Sequence, residues 1–218
     1  MLLSDLFEST STLGNLEDVS TRPITLCIFP GRFQPMHPGH FNTFKMLQRK
    51  FDHVLIATSD VTDGDKSPFN YKEKVKIACN MFGLSPSDFI QTNSPYSVER
   101  PLKHLNLAPE NTLVTFAVGS KDIERFGPNN ATQLTRKDGT PAFIQHYGSN
   151  MKTADKHGYV YYVPDQENAS GIINASDFRK QMCGDDSTAR KAFSDMYGGL
   201  NVRVYNFIRK RLRAQTKS

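Results

Sequence analysis

The stretch ITLCIFPGRFQPMHPGHFNTFKML, residues 24–47, is informative about fold class because its pattern changes from that of one secondary structure to that of another within a few residues. Its first part, ITLCIF, is a near-continuous apolar run, which is typical of a parallel strand buried on both faces. A loop rich in Pro and Gly follows, and after it Phe41 and Phe44 recur at helical spacing. The stretch therefore predicts a strand, a loop and a helix, with His37 and His40 where the loop becomes the helix.

The same alternation continues along the chain and predicts an α/β fold. Further strands are expected at 53–59, 88–93, 112–119 and 159–164, and helices at 71–84 and 97–106. Residues 142–147, AFIQHY, have strand character within a long polar stretch from 120 to 158, and connections this long inside a compact domain are usually functional or mobile. Such alternation is typical of parallel strands joined by helical crossovers. We expect a Rossmann-like, doubly wound parallel sheet of about five strands with a C-terminal helical extension.

At 218 residues, the chain is long enough for one large domain with decorated ends. Residues 1–22 are rich in Ser and Thr and are interpreted as a flexible arm. Residues 23–183 are assigned to the main domain, and 184–218 to helices packed on it. The last helix, 202–213, is expected to pack on the sheet with its Arg/Lys face in solvent.

Composition excludes several classes of protein. Three cysteines without CxxC spacing suggest neither a disulfide framework nor a zinc knuckle, which favours a reducing, cytoplasmic setting. No apolar run approaches the roughly 20 residues of a membrane span, so no membrane partner is expected. Much of the net charge of +5 lies in the final FIRKRLRAQTKS. A solvated helix is favoured there over a nucleic-acid contact.

The loop at residues 31–40 has the chemistry of an anion site. In open parallel sheets, ligands bind at the carboxyl ends of the strands, and the N-terminus of a helix offers unpaired N–H groups to phosphate. Gly39 allows close approach of the backbone, and His37 and His40 add two donors. For an isolated HxxH pair, the non-functional alternative is that one histidine lies beside a helix cap and the other lies on the surface. No third His or Cys is near, so a metal site is not predicted.

This loop also carries a resemblance to a known family. HPGH matches the HxGH signature of the nucleotidyltransferase superfamily, and GRFQPMHPGH is similar to the GRFQPxHxGH form of archaeal-type and bifunctional nicotinamide mononucleotide (NMN) adenylyltransferases. The resemblance implies that His37 and His40 are catalytic. It also implies a nucleotide-binding or phosphate-binding role for residues of the same loop, namely Gly31, Arg32, Phe33, Gln34 and Gly39.

Three later segments occur in the order that the family requires. SPFNYKEKVKIA, 67–78, resembles NPFTxxER and places Lys74 at the Arg position, where it is expected to bind phosphate at the rim. FAVGSKDIERF, 116–126, resembles a glycine-to-aspartate segment of the nucleotide site and implies roles for Gly119 and Asp122, with a spacing one residue longer than usual.

The third segment, IINASDFRK at 172–180, resembles the ISSTxxR motif, with Ile173 and Asn174 at its start. Serine replaces the usual threonine. The resemblance implies that Arg179 is catalytic and that Ser176 caps a helix whose N–H groups face the terminal phosphates.

The family resemblance implies attack of an acceptor phosphate on the α-phosphorus of a nucleoside triphosphate, with release of pyrophosphate and with Mg²⁺ bound to the triphosphate. ATP and NMN are the first choice of substrates, or another NTP and another phosphorylated small molecule. Two alternatives remain: a CTP-dependent cytidylyltransferase acting on a phosphorylated alcohol, and a non-catalytic nucleotide-binding protein. An RNA-binding or synthetase-like protein is disfavoured, since no anticodon-binding domain fits this length. A homo-oligomer agrees with the family, but no segment identifies an interface.

Overall fold

The protein is described by a computed structural model over residues 22–119, 122, 126, 134–164 and 175–215. The strands are β1 Ile24–Pro30, β2 His53–Thr58, β3 Phe89–Gln91, β4 Thr112–Val118, β5 Ile144–His146 and β6 Gly158–Tyr162. The α-helices are α1 Pro38–Gln48, α2 Tyr71–Phe82, α3 Glu99–Leu105, α4 Ala175–Cys183, α5 Asp186–Tyr197 and α6 Val202–Gln215.

The six strands form one parallel sheet in the order β3-β2-β1-β4-β6-β5. The predicted doubly wound parallel fold is confirmed, with one strand more than the five expected. The extra strand, β5, lies within the segment 142–147 and pairs with β6 at the edge of the sheet. The chain runs outward from β1 to β3 and then returns to place β4 on the other side of β1. The switch point is therefore between the carboxyl ends of β1 and β4.

Both faces of the sheet are covered by helices. Cys27 and Phe29 of β1 point to one face, where they pack in a cluster with Phe44 of α1 and Ala78 of α2. The alternate residues of β1 pack in a second cluster with Leu102 of α3. Burial on both faces explains why β1 reads as a continuous apolar run rather than an alternating one.

The three C-terminal helices form a third apolar cluster among themselves and with α2. Phe178 of α4, Phe193 of α5 and Ile208 of α6 are each fully buried in it. The described members of this cluster include no strand residue, so the prediction that the last helix packs on the sheet is wrong. Its apolar face packs on other helices because α4, α5 and α2 present apolar side chains toward it.

Two basic residues of α6 differ from the predicted solvated face, whereas the other three basic residues of this helix are exposed as predicted. Arg209, whose side chain is 12% exposed, pairs with Asp186, and its guanidinium donates to the Gly184 carbonyl over 2.9 Å. Arg211 pairs with Glu73 of α2 at 3.1 Å. These two arginines are partly buried because carbonyl and carboxylate groups at the ends of neighbouring helices supply partners for their donors.

The predicted arm 1–22 lies outside the described residues except for Arg22. The guanidinium of Arg22 pairs with Asp52 at 2.6 Å, next to the amino end of β2. Of the helices in the described ranges, none has the length and apolar character needed to cross a membrane.

Candidate active site

The turn from β1 into α1 brings the two histidines together. His37 is the N-cap of α1 in an extended conformation, and Pro38 is the first helical residue. The two imidazole rings stack with centroids 3.7 Å apart. The backbone N–H of His37 donates to Nδ1 of His40 over 3.4 Å. The predicted position of both histidines at the start of this helix is confirmed.

Both imidazoles are neutral at physiological pH. Burial lowers the pKa of His37 to about 4, and burial together with the neighbouring His37 holds the pKa of His40 well below its usual range. Because Nδ1 of His40 accepts a hydrogen bond, the proton of this ring lies on Nε2. Nδ1 of His37 is buried and has no hydrogen-bond partner. A neutral imidazole carries one N–H, so each ring has one donor.

Phe33 and Gly31 shape the loop by packing. Phe33 is 3% exposed with φ of +47°, and its ring lies edge-on to His40 at 5.0 Å. A Cβ on Gly31 would lie 2.5 Å from the Phe33 ring, which explains why glycine stands there. Phe33 therefore orients the His40 ring from the apolar side.

Gln34 uses its side chain within the protein. Its Nε2 donates to the Phe69 carbonyl and its Oε1 accepts from the Phe69 N–H, both at 2.9 Å. Gln34 is 4% exposed, so its amide ties the loop at residues 31–40, here called the HPGH loop, to the segment before α2. Gly39 is buried in the first turn of α1, where its carbonyl accepts from Thr43 at 3.0 Å.

Arg179 and Ser176 approach from α4. The guanidinium of Arg179 donates to the Gln34 carbonyl at 2.7 Å and to the Ser176 hydroxyl at 3.2 Å. Burial and the nearby Arg32 lower the pKa of Arg179 from its usual value. Ser176 lies one residue inside α4, which already includes Ala175, so the prediction that it caps this helix is wrong. Its hydroxyl instead faces Arg179.

Two cavities adjoin these residues. The first, here called the HPGH cavity, has a volume of about 690 Å³ and is bordered by His37, His40, Ser176, Asp177 and Arg179. The second, the switch-point cavity, measures about 750 Å³ and lies over the carboxyl ends of β1, β2 and β4. A larger hollow of about 910 Å³ lies beside the amino end of β2 and borders none of the predicted site residues.

Arg32 and Lys66 border both cavities and so lie between them. Both side chains are exposed, and both carry positive charge between the two cavities. Sequence reasoning predicted Arg32 and missed Lys66. The available signal was its position directly before Ser67, where the segment with a family resemblance was taken to begin.

The family assignment rests on a match of residues 28–157, more than half of the chain, to the model of the cytidylyltransferase-like family. The chain belongs to the cytidylyltransferase-like family.

Two curated relatives are adenylyltransferases. The chain is 38% identical over 53 residues to the phosphopantetheine adenylyltransferase of Campylobacter fetus subsp. fetus, which covers 24% of this chain and 32% of that protein. It is 34% identical over 55 residues to the nicotinamide-nucleotide adenylyltransferase of Saccharolobus solfataricus, which again covers 24% of this chain and 32% of the relative. The chain thus spans about a third of the length of these curated relatives.

Among solved structures, the fold is similar to the bifunctional NMN adenylyltransferase/ADP ribose pyrophosphatase of Francisella tularensis. The TM-score is 0.52 at 16% identity, over 89% of this chain and 53% of that one. At this identity the likeness shows the shared Rossmann-like fold. That structure holds AMP and a manganese ion.

Lys74 does not lie where the family resemblance implied. It is 2% exposed, and its ammonium donates to the Thr58 hydroxyl at 3.1 Å and to the Ser59 carbonyl at 2.7 Å. Burial lowers its pKa to about 8, against the opposing charge of Asp60. The predicted position at the rim is wrong, because Lys74 shares the buried face of α2 with Ile77 and Ala78. Its ammonium therefore supports the carboxyl end of β2 from the buried face of α2.

The remaining predicted residues either border a cavity or lie outside the described residues. Gly119 and Asp122 border the switch-point cavity and not the HPGH cavity, so the structure separates them from Arg179. Ile173 and Asn174, at the start of the IINASDFRK motif, lie outside the described residues.

No cluster of three His, Cys, Asp or Glu side chains suited to a metal ion occurs within the described ranges. Asp177 borders the HPGH cavity, while Asp63 and Asp122 border the switch-point cavity. Carboxylate oxygens of this kind fit a magnesium ion that keeps several of its water ligands.

Proposed function

We propose that this protein is a nucleotidyltransferase that joins a nucleoside triphosphate to the phosphate of a small acceptor and releases pyrophosphate. The observation that carries the proposal is the convergence of two neutral, stacked histidines and Arg179 on one cavity at the N-terminus of α1. Membership of the cytidylyltransferase-like family supports the same reaction class.

The HPGH cavity suits the triphosphate. Among the described residues that border it, Arg32, Lys66 and Arg179 are positively charged and only Asp177 carries a carboxylate, so positive charge predominates there. The N–H groups of the first turn of α1 add the partial positive charge of a helix N-terminus. Arg179 is already held by the Gln34 carbonyl, so its charge is fixed in place before a ligand arrives.

The reaction needs no protein nucleophile. An oxygen of the acceptor phosphate attacks the α-phosphorus, and the bond from that phosphorus to the pyrophosphate oxygen breaks. Neutral His37 and His40 donate N–H hydrogen bonds to the α-phosphate oxygens, where negative charge is redistributed during transfer. We place the acceptor in the switch-point cavity with Gly119 and Asp122, so that Arg32 and Lys66 contact the phosphates of both substrates.

Magnesium is proposed to enter with the triphosphate. Asp177 and the phosphate oxygens would hold it, and its charge would neutralise the departing pyrophosphate. The manganese ion in the Francisella tularensis structure is consistent with a divalent ion in this family.

For the substrates, we propose ATP and NMN first. The GRFQP form of the loop and the likeness to the Saccharolobus solfataricus protein named nicotinamide-nucleotide adenylyltransferase support this choice. Phosphopantetheine is the second candidate acceptor, because another relative carries that name. A CTP-dependent reaction on a phosphorylated alcohol is the third. We place the protein in the cytoplasm, which agrees with three free cysteines. Partner surfaces for nucleic acid or membrane are not proposed.

The test is a panel of ATP and CTP, each with NMN, phosphopantetheine and glycerol phosphate, in which pyrophosphate release is followed with magnesium present. We expect release with ATP and NMN. His40→Ala should lower kcat at least about a hundredfold with its melting temperature retained, since a preorganised donor is lost. The exposed His104 provides the matched control His104→Ala, which should keep wild-type kcat. Equal rates for wild type and His40→Ala would overturn the site, and no release with any pair would overturn the function.

A further inference from the structure

The C-terminal helices hold the HPGH loop through two of its carbonyl groups. Arg179 of α4 donates to the carbonyl of Gln34, as described above. Tyr197, the last residue of α5, donates its hydroxyl to the carbonyl of Met36 over 2.9 Å. Met36 is 1% exposed, so water does not replace this partner readily.

The hydroxyl of Tyr197 is fixed in position by the packing of its ring. The ring contacts Phe193 at 4.8 Å, Phe178 at 5.8 Å and Phe82 at 5.9 Å between centroids. Burial raises the pKa of Tyr197 far above its usual range, so the hydroxyl stays protonated and acts as the donor.

The carbonyl that Tyr197 holds belongs to the same peptide group as the N–H that holds His40. The Met36–His37 peptide accepts from Tyr197 through its oxygen and donates to Nδ1 of His40 through its nitrogen. A peptide group is planar, so fixing its oxygen also fixes the direction of its N–H. Hydrogen bonds at the two ends of one peptide also polarise each other.

We propose that Tyr197 is a positioning residue of the nucleotidyl transfer reaction, which acts through the Met36–His37 peptide to hold His40 with its proton on Nε2. The inference rests on the proposed function, because that function gives His40 its role as an N–H donor to the α-phosphate. It assigns a part in the reaction to α5, which lies outside the HPGH loop and the predicted site segments. Tyr197 itself contacts no substrate in this scheme.

The test compares Tyr197→Phe with Tyr205→Phe. Both variants remove one hydroxyl and keep a ring in the same helical cluster, and Tyr205 donates to Asp186 of α5 and not to the HPGH loop. Tyr197→Phe should lower kcat about tenfold while KM for the triphosphate changes less than twofold, since a misplaced donor weakens the transition state more than the ground state. Tyr205→Phe should keep wild-type kcat.

A second readout, the ¹⁵N NMR shifts of the imidazole nitrogens, does not depend on activity. His40 should show a protonated Nε2 and an accepting Nδ1 in wild type and in Tyr205→Phe, and a mixture of tautomers in Tyr197→Phe. Unchanged kcat and unchanged His40 shifts in Tyr197→Phe would overturn the inference, as would equal losses of kcat in the two variants. A tautomer change confined to Tyr197→Phe, in a protein that releases no pyrophosphate with any substrate pair, would support the positioning of His40 and refute the proposed function.

Discussion

The surroundings of His37 and His40 determine the charge state of their imidazole rings. In water, a histidine is partly charged near neutral pH, whereas burial beside Phe33 and beside each other keeps these two rings neutral. In the proposed reaction, a neutral imidazole donates one N–H, and arginine and lysine attract the charge of the phosphates. The histidines have the role of neutral donors because their rings are buried, and Arg32 and Lys66 have the role of cations because they are exposed.

The depressed pKa of His37 predicts a pH-dependent stability. The pKa is about 4 in the folded protein and about 6.5 in the unfolded chain, so between these values the unfolded chain binds a proton that the folded protein does not. Stability is therefore present above pH 6.5 and is lost as the pH falls toward 4. From pH 7.5 to 5, this single site should cost no more than about 2 kcal/mol.

Urea unfolding of wild type and His37→Gln at pH 7.5 and pH 5 measures this loss. The free energy of unfolding should fall less with pH in His37→Gln than in wild type. His53→Gln, at an exposed position, is the matched control and should follow wild type. Parallel losses in wild type and His37→Gln would show that burial of His37 does not carry the effect.

At the level of secondary-structure elements, α6 shows how a basic helix is held against its neighbours. Arg209 reaches across to the end of α4, where the Gly184 carbonyl accepts from it, and it pairs with Asp186 at the start of α5. One side chain thus joins three helices. These contacts of Arg209 matter for the site because α4 carries Arg179 and α5 carries Tyr197.

We expect Arg209→Met to lower the free energy of unfolding by about 2 kcal/mol, because hydrogen bonds from a charged group are lost and the Gly184 carbonyl loses a donor. The measurement is urea unfolding at neutral pH, followed by circular dichroism. Arg203→Met, on an exposed position of the same helix, should change stability little. A similar small change in both variants would mean that Arg209 does not join the helices.

Across the whole molecule, the parallel sheet assembles a site from segments far apart in the chain. The carboxyl ends of β1, β2 and β4 border one cavity, α1 and α4 border the other, and Lys66 with Arg32 lies between them. Distant segments meet there because parallel strands direct all their carboxyl ends to one edge. Two substrates that approach from opposite cavities would meet at these two cations.

The two cavities predict separable effects on substrate binding. Lys66→Ala should raise KM about tenfold for both the triphosphate and the acceptor, since its ammonium borders both cavities. Arg179→Ala should raise KM for the triphosphate alone, because Arg179 borders only the HPGH cavity. Steady-state rates with each substrate varied in turn give the four constants.

Lys72→Ala, on the exposed face of α2, is the control for loss of a surface lysine and should leave both constants unchanged. If Lys66→Ala changed KM for one substrate only, the two cavities would not share this side chain in the working enzyme.

Three features were predictable from the sequence: the order of strands and helices, the parallel sheet, and the loop that carries His37 and His40. These features are local: apolar runs, helical spacing and a Pro-Gly turn each act within a few residues. The sequence also indicated Arg179 correctly as a neighbour of that loop, through a motif far downstream.

Which charged side chains border the cavities depends on how distant elements pack. Lys74 and Arg209 look solvent-exposed in the sequence, yet one is buried under β2 and the other lies between helices, whereas Lys66 lies exposed between the cavities. Likewise, only the fold brings Tyr197 to the Met36 carbonyl, 161 positions away in the chain. A charge or a hydroxyl takes its role from the partners that surround it, and those partners come together only when distant elements pack.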